Sequence, residues 1–192
     1  RMTEFQRHAA ELAFEASATA LSESGVAVEA ITHLITVCCT GFEAPGVDLA
    51  LIERLGLRAD VQRTHVGFMG CHAALNGLRV ARAFAEADAD AVVLICCVEL
   101  CSLHLQYGGD PEQVVANALF ADGAAAVVAS AQRPISFPAL VLETNGSTVI
   151  PGSAGWMHWR IADHGFSMGL SPQGPQTVAQ ALRPWLDDWL GG

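Results

Sequence analysis

Cys71 lies where a run of small residues changes into a long apolar segment, GFMGCHAALNGLRVARAF (67–84). Free cysteine is among the most buried residue types, so packing is the ordinary interpretation of such a thiol. However, Gly67 and Gly70 leave little side-chain bulk beside this sulfur. Apolar residues at helical spacing predict a helix from near Cys71, and its first-turn N–H groups and dipole would favour a thiolate. The pattern therefore indicates a candidate nucleophile.

The remaining cysteines form neither a C-x-x-C pair nor the spaced Cys/His set of a zinc site, so no metal centre is predicted. Adjacent pairs within apolar runs are typical of buried thiols in a reducing compartment, which predicts a cytoplasmic protein. His72 directly follows the candidate nucleophile. Successive helix positions point about 100° apart, so His72 is not expected to act as its base.

Composition excludes two classes of partner. The net charge is -10 and all ten basic residues are arginines, which argues against a nucleic-acid surface. Charged or turn residues interrupt every apolar run before the roughly 18 residues of a membrane helix, so no membrane partner is expected. A hydrophobic content of 52% in 192 residues instead predicts a globular chain with a sizeable core.

The hydrophobic periodicity predicts an α/β protein. A helix is expected over 3–24, with Thr3 as N-cap and Gly25 at its end. Strands that are apolar on both faces, separated by helices, indicate a largely parallel sheet covered on both sides. The predicted strands are 31–40, 90–100 and 123–130, with a short one around Val66, and a further helix lies within 45–57.

The pattern changes after residue 131. The dipeptide Asn145-Gly146 predicts a hairpin, residues 157–168 a half-buried strand, and residues 176–190 a helix broken near Pro184. Two domains are therefore expected, 1–131 and 132–192.

Three stretches in this order, residues 67–84, VVLICCVELCSLHLQ (92–106) and VVANALFADGAAAVV (114–128), resemble type III polyketide synthases, the chalcone-synthase-like branch of the thiolase superfamily. Residues 31–58 and 159–172 continue the resemblance. It implies the layered αβαβα thiolase-like fold, with this chain supplying most of the first half and the start of the second. It also implies a homodimer in the full-length protein.

The resemblance implies an acyltransferase that carries its substrate on a cysteine. An acyl-CoA starter acylates the cysteine, and the chain is extended with malonyl-CoA by decarboxylative Claisen condensation, with no cofactor beyond these CoA thioester substrates. The family's nucleophile corresponds to Cys71. Its gatekeeping phenylalanine, which orients the malonyl unit, corresponds to Phe120.

The resemblance also implies a set of residues that shape the elongation cavity. Plant chalcone synthases have glycine where this chain has Trp159, so a flavonoid product is not expected. The expected product is of the alkylpyrone, resorcinol or phloroglucinol type. Simple packing remains the alternative for the two cysteines of the set, and a structural role remains the alternative for its histidine. The set comprises Cys39, Cys101, His104, Trp159 and Met168.

The family's histidine, in an HPGG-like motif, and its asparagine, in an SNMSS-like motif, do not occur in these 192 residues. The chain is therefore expected to be an internal fragment that is inactive alone, or at most acylated at Cys71, and that exposes apolar faces. His158 and His164 are expected to be structural. Two alternatives remain. One is an initiating β-ketoacyl carrier-protein synthase, although Phe120 favours the polyketide synthases, and the other is a thiolase-fold module that has lost catalysis.

Overall fold

The structure is a computed structural model that describes residues 1–132, 139–163 and 165–191. Its contacts divide the chain into two compact units. Unit 1 comprises Arg1–Leu103 with Ala121–Glu143, and unit 2 comprises His104–Phe120 with Thr144–Gly192. The expected division of the sequence at residue 131 stays a prediction, and the two units are described separately below.

Unit 1 is built on one four-stranded sheet, and each predicted strand is present. The strands are β1 (His33–Cys38), β2 (Gln62–Gly67), β3 (Val92–Leu100) and β4 (Asp122–Ser130), arranged in the order β2-β1-β3-β4. The first three are parallel, and β4 runs antiparallel to β3 at one edge. The sheet is therefore largely parallel, as the apolar runs predict.

Helices cover both faces of this sheet. Alternate residues of β1 and β3 point to opposite faces, and they divide the core into two clusters. One cluster joins the sheet to α1 (Met2–Ser24) and α2 (Val47–Leu55), and the other joins it to α3 (Ala73–Ala87). Every residue of β1 is buried, because both of its faces are covered.

The ends of α1 test two predictions. Gly25 adopts φ 64° and ends the helix, which confirms its predicted role, since glycine takes this left-handed conformation without a Cβ clash. The predicted N-cap, Thr3, is wrong. The helix begins one residue before it, so that Thr3 lies inside the first turn, and Arg1 occupies the cap position without a capping side chain.

Unit 2 contains α4 (Pro111–Leu119), β5 (Met157–Ala162), β6 (Gly165–Leu170) and α5 (Gln173–Gly191). Helix α4 is missing from the sequence-based prediction, although Asp110 followed by proline is a strong start signal. The Asp110 carboxylate accepts hydrogen bonds from the backbone N–H groups of Glu112 (2.8 Å) and Gln113 (3.4 Å). Strands β5 and β6 pair antiparallel, so the single strand predicted over 157–168 is wrong.

Two further predictions for this unit are wrong. Residues 139–150 contain no strand, and Gly146 lacks the positive φ that an Asn-Gly hairpin turn requires. Instead, Gly146 leaves room for the ring of Trp189. Helix α5 continues through Pro184, and contacts across the following turns support it. Arg183 Nε donates to Asp187 Oδ1 at 2.8 Å, and the Trp185 and Trp189 rings stack at 5.3 Å.

Within the described residues, no helix combines the length and the apolar character that crossing a bilayer requires.

Candidate active site

Cys71 lies in the tight turn that joins β2 to α3 in unit 1. Phe68 (φ 53°) and Gly70 (φ 74°) both adopt left-handed backbone conformations, and the N–H of Ala73 donates to the Gly70 carbonyl at 3.0 Å. The helix begins at Ala73, two residues after Cys71, with His72 at the N-cap position. The predicted helix start near Cys71 is thus confirmed to within two residues. The turn, and not the first helical residue, presents the thiol.

Cys71 is the exposed cysteine of the six. Burial raises the pKa of the Cys38 thiol to about 12 and that of Cys96 to about 11. Burial is also the main cause that raises the pKa of Cys39 and Cys97. These four thiols are therefore protonated near neutral pH, and they are poor nucleophiles because the thiolate is the reactive form.

Helix α3 rests very close to the sheet on one side. A Cβ atom at Gly77 would lie 3.3 Å from Val37 Cγ2 and 3.4 Å from Ile95 Cγ2, so glycine permits this approach. The opposite side of the helix is also apolar in part, and Leu75 is 60% exposed. Helix α3 is thus buried on the face that packs against the sheet and partly exposed on the opposite face.

Glu99 connects the ends of β3 and β1, and sequence analysis did not select it. Its carboxylate oxygens accept hydrogen bonds from the Cys39 N–H (2.8 and 3.1 Å), the Thr40 N–H (3.0 Å) and the Thr40 hydroxyl (2.6 Å). The Thr40 Oγ1 atom in turn accepts the Leu100 N–H at 2.8 Å. A carboxylate within the apolar run VVLICCVEL was the available signal, because a partly buried charge needs such partners.

The predicted site residues of unit 1 gather at one edge of its sheet. Cys39 follows β1, Cys101 follows β3, and Cys71 belongs to the turn after β2, so all three lie beyond the carboxyl ends of adjacent parallel strands. Cys39 Sγ approaches the Gly70 carbonyl oxygen at 4.0 Å. This edge is where open α/β sheets bind ligands.

The predicted cavity residues of unit 2 form an aromatic cluster around a buried histidine. The His104 ring is 3% exposed and stacks on Phe166, with ring centroids 4.2 Å apart. Trp159 packs edge-on against both rings, at 5.2 Å from His104 and 5.4 Å from Phe166. Met168 pairs with Trp159 across the β5–β6 ladder. Phe166 is the member of this cluster that sequence analysis missed.

Hydrogen bonds fix the orientation of this cluster. The Phe166 N–H donates to His104 Nδ1 at 3.4 Å, so a neutral imidazole carries its proton on Nε2. The Gln106 side chain donates to the Phe166 carbonyl at 2.8 Å, and Asn117 donates to the Gln106 carbonyl at 2.8 Å. Phe120 ends α4 in the same unit, half-buried, with its N–H bonded to the Ala116 carbonyl at 3.1 Å.

His72, His158 and His164 are the other histidines whose roles were predicted from the sequence. The ring of His158 occupies the space that a side chain at Gly169 would fill, and His72 is exposed at the start of α3. His164 lies outside the described residues. No group of three or more metal-ligating side chains is assembled anywhere in the described part of the chain.

The sequence is similar to known proteins. Residues 1–133 match the family model of the chalcone and stilbene synthases, N-terminal domain. The chain is 32% identical to the alpha-pyrone synthesis polyketide synthase-like Pks18 of Mycobacterium tuberculosis over 99% of its own length and 49% of that protein. It is 34% identical to type III polyketide synthase A of Arabidopsis thaliana, over 94% of this chain and 47% of that protein.

A solved structure shows the same fold. PKS-I from the brown alga Ectocarpus siliculosus superposes with a TM-score of 0.94 and 34% identity, over 99% of this chain and 51% of that one. The α/β thiolase-like fold class is therefore confirmed. The chain belongs to the chalcone and stilbene synthase family of type III polyketide synthases. It spans about half the length of the curated relatives named here.

Proposed function

We propose that Cys71 accepts an acyl group from an acyl-CoA by thioester exchange. The Cys71 sulfur attacks the acyl carbonyl carbon, a new C–S bond forms, and the bond to the CoA sulfur breaks with release of the CoA thiolate. One observation carries the proposal: the exposed thiol lies in a left-handed turn before α3, whereas its neighbours are more buried.

We further propose that the whole protein extends this acyl group with malonyl-CoA. Loss of CO2 from the malonyl unit leaves an enolate, whose carbon attacks the Cys71 thioester and expels the sulfur. Apolar side chains favour decarboxylation by excluding water, which is the role proposed for Phe120 and Met168. The substrates are CoA thioesters, no separate cofactor takes part, and the whole protein acts as a cytoplasmic homodimer.

The 192-residue chain is proposed to perform only the acylation of Cys71 and not the condensation that follows. Condensation needs donors that hold the thioester carbonyl while charge develops on its oxygen. In the resemblance that role belongs to the histidine and asparagine of two motifs, which these 192 residues do not contain. The acyl group would therefore remain on Cys71 and no ketide would form.

Intact-mass spectrometry after incubation with a panel of short- and long-chain acyl-CoA thioesters tests the acylation. We expect a mass increase of one acyl group, which peptide mapping places on Cys71 and hydroxylamine removes. Cys71→Ala should abolish it, while Cys97→Ala serves as the matched thiol control and should retain it. Acylation that persists in Cys71→Ala would refute the nucleophile assignment.

A second measurement tests the division of labour. With radiolabelled malonyl-CoA added after the acyl-CoA, we expect no labelled ketide from the 192-residue chain. The same assay on a version extended by the missing histidine and asparagine motifs should give product. Failure of Cys71→Ala to abolish that product would contradict the proposed mechanism.

A further inference from the structure

The Glu99 carboxylate stands among the thiols of unit 1. Parallel pairing of β1 with β3 brings the residue that follows Cys38 level with Glu99. Three donors, the N–H groups of Cys39 and Thr40 and the Thr40 hydroxyl, then point at the carboxylate oxygens, and the Cys38 thiol lies 3.6 Å from Oε2. So many donors on a single side chain fix the path of the chain after β1.

This fixed path sets the position of Cys39 relative to the turn of the proposed nucleophile. Cys39 Sγ faces the Gly70 carbonyl, one residue before Cys71. Cys101 begins the 3₁₀ turn Cys101–His104, two residues after Glu99. Cys39 and Cys101 are only half-buried. A substrate that reaches Cys71 therefore meets two further thiols at the same sheet edge, and either of them would compete for the acyl group if it lost its proton.

We propose that Glu99 is a positioning and selectivity residue, which holds the Cys39 turn in place and prevents Cys39 and Cys101 from taking the acyl group meant for Cys71. The proposal rests on the proposed function of Cys71. Acyl transfer to a competing thiol would form the same C–S bond but leave the acyl group on the wrong sulfur. Selection by Glu99 therefore matters because three thiols lie at the same edge of the sheet.

Electrostatics supports this selection. Burial, followed by the negative charge of Glu99, raises the pKa of Cys101 to about 11. The titratable groups that act on Cys101 include Glu99, Asp122 on β4, Cys71 and Cys39, and all of them raise its pKa. Asp122 is held close by, since it accepts the Ser102 N–H at 2.7 Å. For Cys39, burial is the largest cause that raises the pKa and Glu99 adds to it, although hydrogen bonds with the backbone of residues 68–70 act in the opposite direction.

Two substitutions separate position from charge. Glu99→Gln keeps the length of the side chain and one carbonyl oxygen for the Cys39 N–H, but it removes the charge. Glu99→Asp keeps the charge but shortens the reach to the turn. Glu53→Gln, at an exposed position of α2, is the matched control for loss of one carboxylate. Thr40→Val removes the 2.6 Å hydrogen bond to Glu99 and the acceptor of the Leu100 N–H, and it leaves the Glu99 charge in place.

The first readout is the rate at which N-ethylmaleimide alkylates each cysteine, measured by peptide mapping as a function of pH. Removing a unit charge a few ångströms away should lower the thiol pKa by about one unit. N-ethylmaleimide should therefore alkylate Cys39 and Cys101 about tenfold faster in Glu99→Gln than in the unsubstituted chain at neutral pH. The Cys71 rate should stay within about twofold. Glu53→Gln and Thr40→Val should leave the pH profiles of Cys39 and Cys101 in place.

The second readout is the site of acylation after addition of an acyl-CoA. We expect acyl groups on Cys39 or Cys101 in Glu99→Gln, and on Cys71 alone in the unsubstituted chain and in Glu53→Gln. An unchanged distribution and unchanged pH profiles in Glu99→Gln would overturn the proposal. An equal pH shift in Glu99→Asp would also overturn it, because that variant retains the charge.

Two controls keep the outcomes distinct. Cys38 and Cys96 are buried in the core, so their alkylation in any variant reports unfolding, and Thr40→Val then provides the folded comparison. If the unsubstituted chain takes no acyl group at Cys71, the proposed function fails. The alkylation profiles use no acyl-CoA and report the effect of Glu99 independently.

Discussion

The Cys39 sulfur lies 4.0 Å from the carbonyl oxygen of Gly70, so the chain after β1 contacts the turn that carries Cys71. Two loops that follow neighbouring strands thus support each other at the carboxyl edge of the sheet. Substitutions in either loop should change the environment of the proposed nucleophile.

The conformation of Gly70 provides the first prediction. Its φ of 74° is left-handed, and a Cβ atom in that conformation costs about 1 kcal/mol. We expect Gly70→Ala to lower the free energy of unfolding by about that amount in urea titrations, and to change the rate at which iodoacetamide alkylates Cys71. Gly123→Ala is the control, since its Cβ meets open space. Equal destabilisation by both substitutions would contradict the role of the turn.

Stability in alkaline solution provides the second prediction. The pKa of Cys38 is about 12 and that of Cys96 about 11 in the folded chain, against 9.0 as the ordinary value. Because the unfolded state loses these protons first, the stabilisation is complete below about pH 9 and is lost as pH rises toward 11 to 12. We expect the free energy of unfolding, measured in urea at successive pH values, to fall across this window.

The variant that tests this effect is Cys96→Ala. Loss of this buried thiol should reduce the alkaline slope by an amount on the order of 1 kcal/mol per pH unit. Cys96→Ala also lowers stability at every pH through the small cavity it creates, so the slope and not the absolute value is diagnostic. An alkaline slope that is the same in Cys96→Ala and in the unsubstituted chain would contradict the raised pKa of Cys96.

The aromatic cluster of unit 2 provides the third prediction. Phe166 is 4% exposed and stacks on His104, so Phe166→Ala should cost about 3 kcal/mol in unfolding free energy. The near-ultraviolet circular dichroism of the neighbouring Trp159 should weaken as well. Phe42→Ala removes a ring that is 67% exposed and should cost under about 1 kcal/mol. Similar losses in both variants would argue against a packed cluster around His104.

The start of α4 provides the fourth prediction. Asp110→Ala removes the acceptor for two backbone N–H groups and should destabilise the helix by about 1 kcal/mol. Hydrogen exchange at Phe120, whose amide closes the last turn by donating to the Ala116 carbonyl, should become faster. Asp110→Asn retains a capping oxygen and should behave much like the unsubstituted chain. Equal exchange in the alanine and asparagine variants would refute the cap.

Local sequence patterns predicted the features that depend on local physics. The buried strands β1 and β3 follow from continuous apolar runs, and the end of α1 follows from a glycine with left-handed φ. Asn145-Gly146 misled the prediction because Gly146 serves a tertiary contact with Trp189 in place of a turn. Pro184 misled it because stacking and an ion pair compensate for the missing N–H.

The residues of the candidate site also differ in whether local sequence reveals them. Cys71 was selected from its small neighbours and the helix after it, which are adjacent in sequence. Glu99 escaped because its partners at Cys39 and Thr40 lie some 60 residues away and meet it only through strand pairing. Phe166 escaped because an aromatic residue in a strand gives no sign of stacking on a histidine 62 positions earlier.

Gly77 has a consequence for how this site can vary. Its single hydrogen atom sets the depth at which α3 rests on Val37 and Ile95, and a methyl group there would press the helix outward by a few tenths of an ångström. Because the helix begins two residues after Cys71, such a displacement would carry the sulfur with it. The height of the proposed nucleophile above the sheet is thus adjustable from a position on the face of α3 that packs against the sheet.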